Sequence, residues 1–523
     1  LFCVALFMLT ALIYKRSLLA IVGILLTLIA FGSNLAIHWL DIDMTTLGSQ
    51  KPITEPLAEG AILESRWDSF ARTDLVKPAD GSLRIYVDGA AASIIPPAEN
   101  NDHLIQDIGF FAFVTAQPKS VFTIGSGGGL DVWFGLQVGA EEITAVEVNP
   151  QTVALVKDYA DYSDDLYNNP TVEVMVDEGR SVLRREDKMY DLIFLSQVVT
   201  LTSERAGYAM TENSVFTLEA FQEYLSHLHE DGYLSIKLYD EITMSRALSV
   251  ALNALKQIQN LDDIEALDHI IAMLDPSTSP PTPLLMVKKT PFSSDEVVAI
   301  GRTAQRIGFA TLFLPGIQAD PPLDAVVNGV NTFDTVVEIS PADLSPPTDD
   351  HPFFYQFNRE LPSELQSLLV VLAGIVGVVL VALGVYQWRV RLPKFASSVS
   401  YFAFLGAGFM MIEIALIQQT RLLIGHPTIA VTLVIATLLI GGGIGSLIYR
   451  QMSPELNAVG WKPLLLLVIG LLAWFALWQI MNPQLVASTQ IVRIGIVAAM
   501  ILPIGMLMGI PFPSGLTVVG RSD

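Results

Sequence analysis

The residues best placed to do chemistry are Gly125-Ser126-Gly127-Gly128-Gly129 and Glu147, about 20 residues further on. Glycines let a backbone turn tightly and approach a ligand with no Cβ in the way. A helix that begins directly after them offers free N–H groups. A carboxylate at the tip of the next strand accepts hydrogen bonds from both hydroxyls of a ribose. The pattern therefore points to a nucleoside site. The competing reading is an ordinary strand–helix–strand unit with a structural glycine turn.

Positioning these residues takes a short series of elements. Val121 to Ile124 is an apolar run that reads as a buried strand. Leu130 to Val138 reads as a helix closed by Gly139, and Ile143 to Val148 as the second strand, carrying Glu147. A third strand, Val172 to Val176, ends in Asp177-Glu178-Gly179-Arg180, and a fourth, Leu192 to Leu195, ends in Ser196. A loop from Ser196 to Asn213 leads to a helix, Leu218 to Leu228, and a fifth strand, Tyr233 to Leu238. Strands alternating with helices at this spacing predict an α/β, doubly wound, mostly parallel sheet. Ligands of such sheets bind beyond the carboxyl ends of the strands, where Gly125–Gly129, Glu147, Asp177 and Ser196 all fall. Upstream, the turn Pro78-Ala79-Asp80-Gly81 predicts a β-hairpin, and 101–115 a helix.

Composition narrows the class. The 523 residues are 51% hydrophobic, with mean hydropathy +0.49, too apolar for a purely soluble enzyme. The apolar excess lies at the two ends. Residues 1–40 hold no acid, and 50 of the 53 acidic residues but only 20 of the 30 basic ones lie in 41–364. Such an acidic middle segment repels nucleic acid and tolerates cationic substrates. It is equally the surface of a salt-adapted soluble domain. The only cysteine, Cys3, excludes disulfides, thiolate zinc sites and a cysteine nucleophile. The histidines form no HxxxH-type cluster, so no metal site is expected.

Hydrophobic runs give the domain plan: two membrane helices in 1–40, a linker and hairpin region in 41–115, an α/β nucleoside-binding domain in 116–347, and about five membrane helices in 348–523. The expected location is a multi-pass, integral membrane protein in contact with lipid, with an oligomer as one option. The first residue is Leu, not Met, which leaves open a fragment with earlier membrane helices missing. Basic residues near the spans place the α/β domain outside the cytosol. A nucleoside cofactor is expected inside, and the two expectations conflict. Glu413, within a span, is costly there and calls for a partner, with Arg421, His426 and Arg450 as candidates. Gly441-Gly442-Gly443 with Gly445 reads as a close helix-packing surface.

The chain resembles the spermidine synthase superfamily, and more closely its membrane-embedded bacterial branch. The carriers are SRWDSFARTD at 65–74, YVDGAA at 86–91, IGSGGGLDV at 124–132, EVNP at 147–150, DEGRSVLRR at 177–185, TLEAFQEYLSHLHEDGYLSI at 217–236 and TDDHPFF at 348–354. GFMMIEIALIQQ at 408–419, GHPT at 425–428 and GIPFPSGL at 509–516 match in the membrane part. The resemblance implies a methyltransferase-like fold, a location in the bacterial inner (plasma) membrane, and S-adenosylmethionine or its decarboxylated form as cofactor. By position, Gly125, Gly127 and Gly129, with Ser126, would cradle that cofactor. Glu147 would hold its ribose, and Asp177 with Glu178 its adenine end, with Ser196 nearby.

Two departures matter. The soluble enzymes carry an Asp within the glycine loop, where this chain has Gly128, and Asp131 is the candidate substitute. They also carry Asp-Ser-x-Asp-Pro after the fourth strand, one Asp of which deprotonates the attacking amine. This chain reads Leu195-Ser196-Gln197-Val198-Val199. An amine is mostly protonated near neutral pH, so a carboxylate base there has a chemical purpose. Tyr208, Glu204 and Glu212 are the candidate replacements. Two functional readings follow: a membrane-anchored transferase acting on a small amine-like acceptor, or a non-catalytic nucleoside-binding regulatory domain coupled to a transporter-like bundle.

Overall fold

The computed structural model describes residues 51–198, 212–361, 363–390, 395–425, 427–451, 462–485 and 488–520, except 59 and 69, together with 21–23, 25–26, 28–29 and 32–33, which are helical. Of the residues singled out above, Tyr208, Glu204 and His426 lie outside the described residues, and so does the side chain of Arg450.

The region before the glycine loop is a four-stranded antiparallel sheet, not a lone hairpin. Its strands are β1 (Ala61–Trp67), β2 (Arg72–Lys77), β3 (Leu83–Val87) and β4 (Ala91–Ile95), paired in that order. Buried Arg72 donates from Nε to Asp74 at 2.9 Å, and Ser65 donates to the same carboxylate. The motif at 65–74 is therefore spent largely on joining β1 to β2.

The second sheet has nine strands. Helix α1 (Ile108–Ala116), capped by Asp107, leads into β5 (Ser120–Ile124). Then come α2 (Leu130–Gln137), β6 (Glu142–Glu147), α3 (Pro150–Asp158), β7 (Val172–Val176), α4 (Gly179–Leu183) and β8 (Tyr190–Ser196). They are followed by α5 (Leu218–Ser226), β9 (Leu228–Lys237), α6 (Glu241–Gln259), β10 (Ile270–Asp275), β11 (Thr282–Lys288), α7 (Ser294–Ile307), β12 (Ala310–Leu314) and β13 (Gln318–Ala319). The order is β13-β12-β10-β11-β9-β8-β5-β6-β7.

The expectation of a mostly parallel sheet needs correction. Only β7, β6, β5, β8 and β9 run parallel to one another, and the pairs from β9 outward to β13 are all antiparallel. The reason is connection length. A tight loop joins β10 to β11, and strands joined that way pair only antiparallel, whereas parallel neighbours need a long crossover. At β5 the order of the strands reverses, with β6 on one side and β8 on the other, all three parallel. That switch point is where a parallel sheet opens a crevice at its carboxyl ends.

Among the described residues after 361, five helices are long and apolar enough to cross a membrane: α8 (Ser363–Val390), α9 (Phe395–Ile424), α10 (Pro427–Gln451), α11 (Lys462–Leu485) and α12 (Gln490–Met508). A further helix, α13 (Pro511–Gly520), follows α12. α10 and α12 meet backbone to backbone on glycines. A Cβ at Gly441 would lie 2.7 Å from the Leu502 carbonyl, and one at Gly445 would run into that of Met506. Gly445→Val should therefore force the helices apart, at a cost of at least about 1–3 kcal/mol. Gly443→Val, with open space around it, should not. Equal thermal unfolding midpoints for the two variants in detergent would refute this packing.

The expected Glu413 pairing is corrected. Arg421 reaches away from the bundle to pair with Glu212 of the α/β domain. Glu413 is half-buried and, among the described residues, meets no ion-pair partner. Eight residues along one helix place Arg421 about 12 Å from Glu413, and α9 continues past both without turning back.

Candidate functional site

A cleft of about 140 Å³ lies at the switch point between the two sheets. The turn after β5 contributes Gly125 and Gly127, β6 ends in Glu147, and β8 ends in Ser196, with Gln197 and Val198 beyond. The small sheet closes the other wall with Asp88, Ala92 and Ser93.

Glu147 is held firmly. One carboxylate oxygen accepts the Gly127 N–H at 3.0 Å and the other the Asn149 N–H at 2.8 Å. Burial raises its pKa above the usual carboxylate value, opposed by the backbone N–H groups of Asn149, Gly127 and Val148. A carboxylate offers about four lone-pair sites, so capacity remains for ligand hydroxyls. Asn149 in turn caps α3 and donates to Thr73 Oγ1 at 2.9 Å, which fixes the small sheet to this strand end.

The glycine turn is shaped as much by protein as by any ligand. Gly125, Gly127 and Gly129 all have positive φ. Ser93 Oγ accepts the Gly128 N–H at 2.7 Å, and a Cβ on Gly128 would collide with the Ile94 carbonyl. Gly129 faces Leu166 and Tyr167. Tyr167 donates its hydroxyl to the Gly127 carbonyl at 2.7 Å and lies 2.9 Å from the Oγ of buried Ser126. Of the residues singled out as cofactor-binding, the structure thus brings Gly125, Gly127, Glu147 and Ser196 to one cleft.

The others go elsewhere. Asp131 is buried in the first turn of α2, outside the cleft lining. Its pKa is raised to about 7, chiefly by burial; Lys237 lowers it and Asp107 raises it. Lys237 itself is clamped to Asp107 at 2.6 and 2.9 Å. Asp177 pairs with Arg185, and its other oxygen accepts the Glu178 N–H at 2.8 Å. Glu178 is the cap of α4, accepting from Arg180 N, Ser181 N and Ser181 Oγ. Asp177 lies against Gly425, where the α/β domain meets the bundle of C-terminal helices, and Glu178 is the next residue. Glu212, a candidate base, is taken by Arg421.

Sequence reasoning passed over Asp88 as a site residue, and it named Gln197 only as a missing carboxylate, not as part of the cleft wall. Asp88 sits in the turn between β3 and β4 with φ 49°, and its Oδ1 accepts the Arg72 N–H at 3.0 Å. An Asp-Gly pair between two apolar runs was the available signal. Gln197 also has positive φ, 48°, a costly conformation for a residue with a side chain. Tyr239 holds it by donating to its carbonyl at 2.7 Å, while the Gln197 amide donates to the Leu238 carbonyl at 3.2 Å. Val198 lies over Gly125 and narrows the cleft. The cleft is below the roughly 300 Å³ at which ligand pockets begin, so a whole nucleoside cofactor needs Val198 or a neighbour to move.

No protein-family model matches the chain, and no curated protein matches it. The solved structures it resembles include a spermidine synthase in complex with the transition-state analogue AdoDATO, at 18% identity over 45% of this chain and 76% of that one, TM-score 0.34. The spermidine synthase from Thermotoga maritima aligns at 16% identity over 53% and 86%, TM-score 0.35.

Proposed function

We propose that this chain is a membrane-anchored, spermidine synthase-like transferase. Its cleft takes S-adenosylmethionine or the decarboxylated form, and its acceptor is a small amine. The observation that carries the reading is Glu147, locked at the tip of β6 beside Gly125 with lone pairs left for a ribose. Asp88 adds a second carboxylate to the lining, which suits a cationic ligand. The sulfonium cofactor, when bound, supplies an activated alkyl group for transfer. The chain's part is to hold the ribose through Glu147, to offset positive charge through Glu147 and Asp88, and to present the acceptor near Ser196 and Gln197. The reading also places the protein in the bacterial inner membrane as a multi-pass protein.

Gln197 favours a second reading, a nucleoside-binding regulatory domain coupled to the bundle. An amide cannot take a proton from an ammonium, and no carboxylate lines the cleft on the β8 side among the described residues.

Calorimetry of the purified chain with both cofactor forms tests binding. Glu147→Ala removes charge-assisted hydrogen bonds of roughly 1.5–3 kcal/mol each, so affinity should fall at least about tenfold. Unchanged affinity in a folded variant would sink the ribose assignment. A mass-spectrometric assay with decarboxylated cofactor and putrescine should show little or no spermidine. Robust turnover at neutral pH would overturn the conclusion drawn from Gln197. Binding with no transfer to any amine tried would favour the regulatory reading.

A further inference from the structure

The α/β domain and the membrane bundle meet over an unusual set of charges. Arg493 stands in the first turn of α12, close to the end of that membrane-length helix, and is 2% exposed. Its Nη1 donates to the Leu423 carbonyl at the end of α9. Its Nε is buried and has no acceptor among the described residues. Arg185, just past α4 on the α/β side, gives one amino group to Asp177, and its Nη1 is likewise buried without an acceptor. Arg493 is held at Leu423, and two residues on Gly425 lies against Asp177, the partner of Arg185, so the junction brings the two arginines and this one aspartate into the same neighbourhood. Asn213, fully buried beside the Glu212 that holds Arg421, is a third residue with an unmet donor, Nδ2.

The acids nearby are committed. Asp177 serves Arg185, Glu212 serves Arg421, and Glu178 is tied into the cap of α4 while lending its charge to Arg421. Arg493 is left with a backbone carbonyl and no carboxylate of its own among the described residues. A buried guanidinium with spare N–H groups is a costly arrangement unless an acceptor meets it. Guanidinium forks suit the oxygens of phosphate, which can accept from both at once. Basic pockets between membrane helices at this level are also suited to lipid head groups.

We propose that the junction between the α/β domain and the bundle binds a phosphate-class anion, held by Arg493 Nε and Arg185 Nη1. The anion bridges an arginine of the membrane part to one of the α/β domain, so its binding fastens the two together. Its source is either an anionic lipid head group or a soluble phosphate. The proposal does not depend on what occupies the Glu147 cleft.

The test uses the full chain in neutral detergent and follows thermal unfolding. One arm titrates inorganic phosphate at ionic strength held constant with chloride. The other compares bilayers of phosphatidylglycerol with bilayers of phosphatidylcholine. The expected result is a rise of several degrees with at least one anion source. Response to the lipid alone identifies a head group, and response to phosphate alone a soluble ligand. Arg493→Gln and Arg185→Gln should each weaken the response at least tenfold, and Arg493→Lys, which keeps the charge without the Nε donor, should recover only part of it. If Arg493→Gln does not fold, Arg185→Gln carries the comparison, together with native mass spectrometry of the unmodified chain for retained phospholipid. The absence of any shift and of any retained anion, or shifts of equal size in the variants, would overturn the proposal and leave water as the partner of these donors.

Discussion

Replacing Arg180 with methionine is expected to destabilise the α/β domain by about 3–5 kcal/mol, the usual result of removing one member of a buried charge cluster. The side chain is 1% exposed. Its guanidinium donates to both oxygens of Glu223 at 2.7 and 2.9 Å and to both of Asp349 at 2.6 and 2.8 Å. The Ser214 carbonyl at 3.0 Å and Thr217 Oγ1 at 3.2 Å complete its partners. Methionine fills similar volume but leaves two carboxylates, each about three-quarters buried, facing one another.

Asp349 belongs to the TDDHPFF stretch, so the same substitution should loosen the strap that runs from the α/β domain to α8. That strap is anchored by Phe354 stacked on Phe216 at 4.4 Å, by the Asn213 N–H on the Pro352 carbonyl at 2.6 Å, and by Arg246 on the carbonyls of Phe354 and Gln356. Denaturant unfolding of the purified variants measures the effect. Asp349→Asn should lose part of the same stability and leave cofactor affinity unchanged. Loss of binding with full stability would make the strap part of the site and refute its structural role.

How much of this was legible depends on how local the signal was. The strand, glycine turn, helix and second strand around Glu147 are written in consecutive residues, and each element's cue lies inside it. The antiparallel half was legible only in part: the apolar runs 284–287 and 310–314 read as further segments of the layer and are β11 and β12, but their direction is not written in them. β10 reads Ile-Ile-Ala-Met-Leu-Asp and is buried at every position, so it offers no alternation to mark it as a strand. The glycines were ambiguous for a physical reason. A missing Cβ permits the approach of a ligand or of another strand equally, and at Gly128 the neighbour is the Ile94 carbonyl. Asp177 and Glu178 stand at a strand end, as their position in the chain says. What they bind is decided by Arg185 and by the first turn of α4, which only the folded chain brings to them. The pairing of Arg421 with Glu212 joins residues 209 apart and has no signature in sequence.

Asp131 yields the second large effect, and its sign distinguishes two pictures of the buried cluster beside α2. Burial holds its pKa at about 7, against 3.8 for an ordinary aspartate. Below about pH 4 the carboxyl is protonated in both folded and unfolded chains and costs nothing. As pH rises from about 4 to about 7 the unfolded chain releases this proton while the folded chain keeps it, so folding loses stability across that window. Above pH 7 the loss is complete, and a shift of roughly three pH units corresponds to about 4 kcal/mol. Asp131→Asn keeps the shape and removes the titration. The variant should therefore match the unmodified chain near pH 4 and exceed it by up to about 4 kcal/mol at pH 8. Taking the difference between the two proteins cancels the titration of the other acids. The opposite picture has Asp131 charged and stabilised by Lys237, which would displace part of the Lys237–Asp107 clamp. In that case the amide would destabilise the protein at pH 8, and that outcome, read from denaturant midpoints at the two pH values, would overturn the assignment of a neutral buried carboxyl.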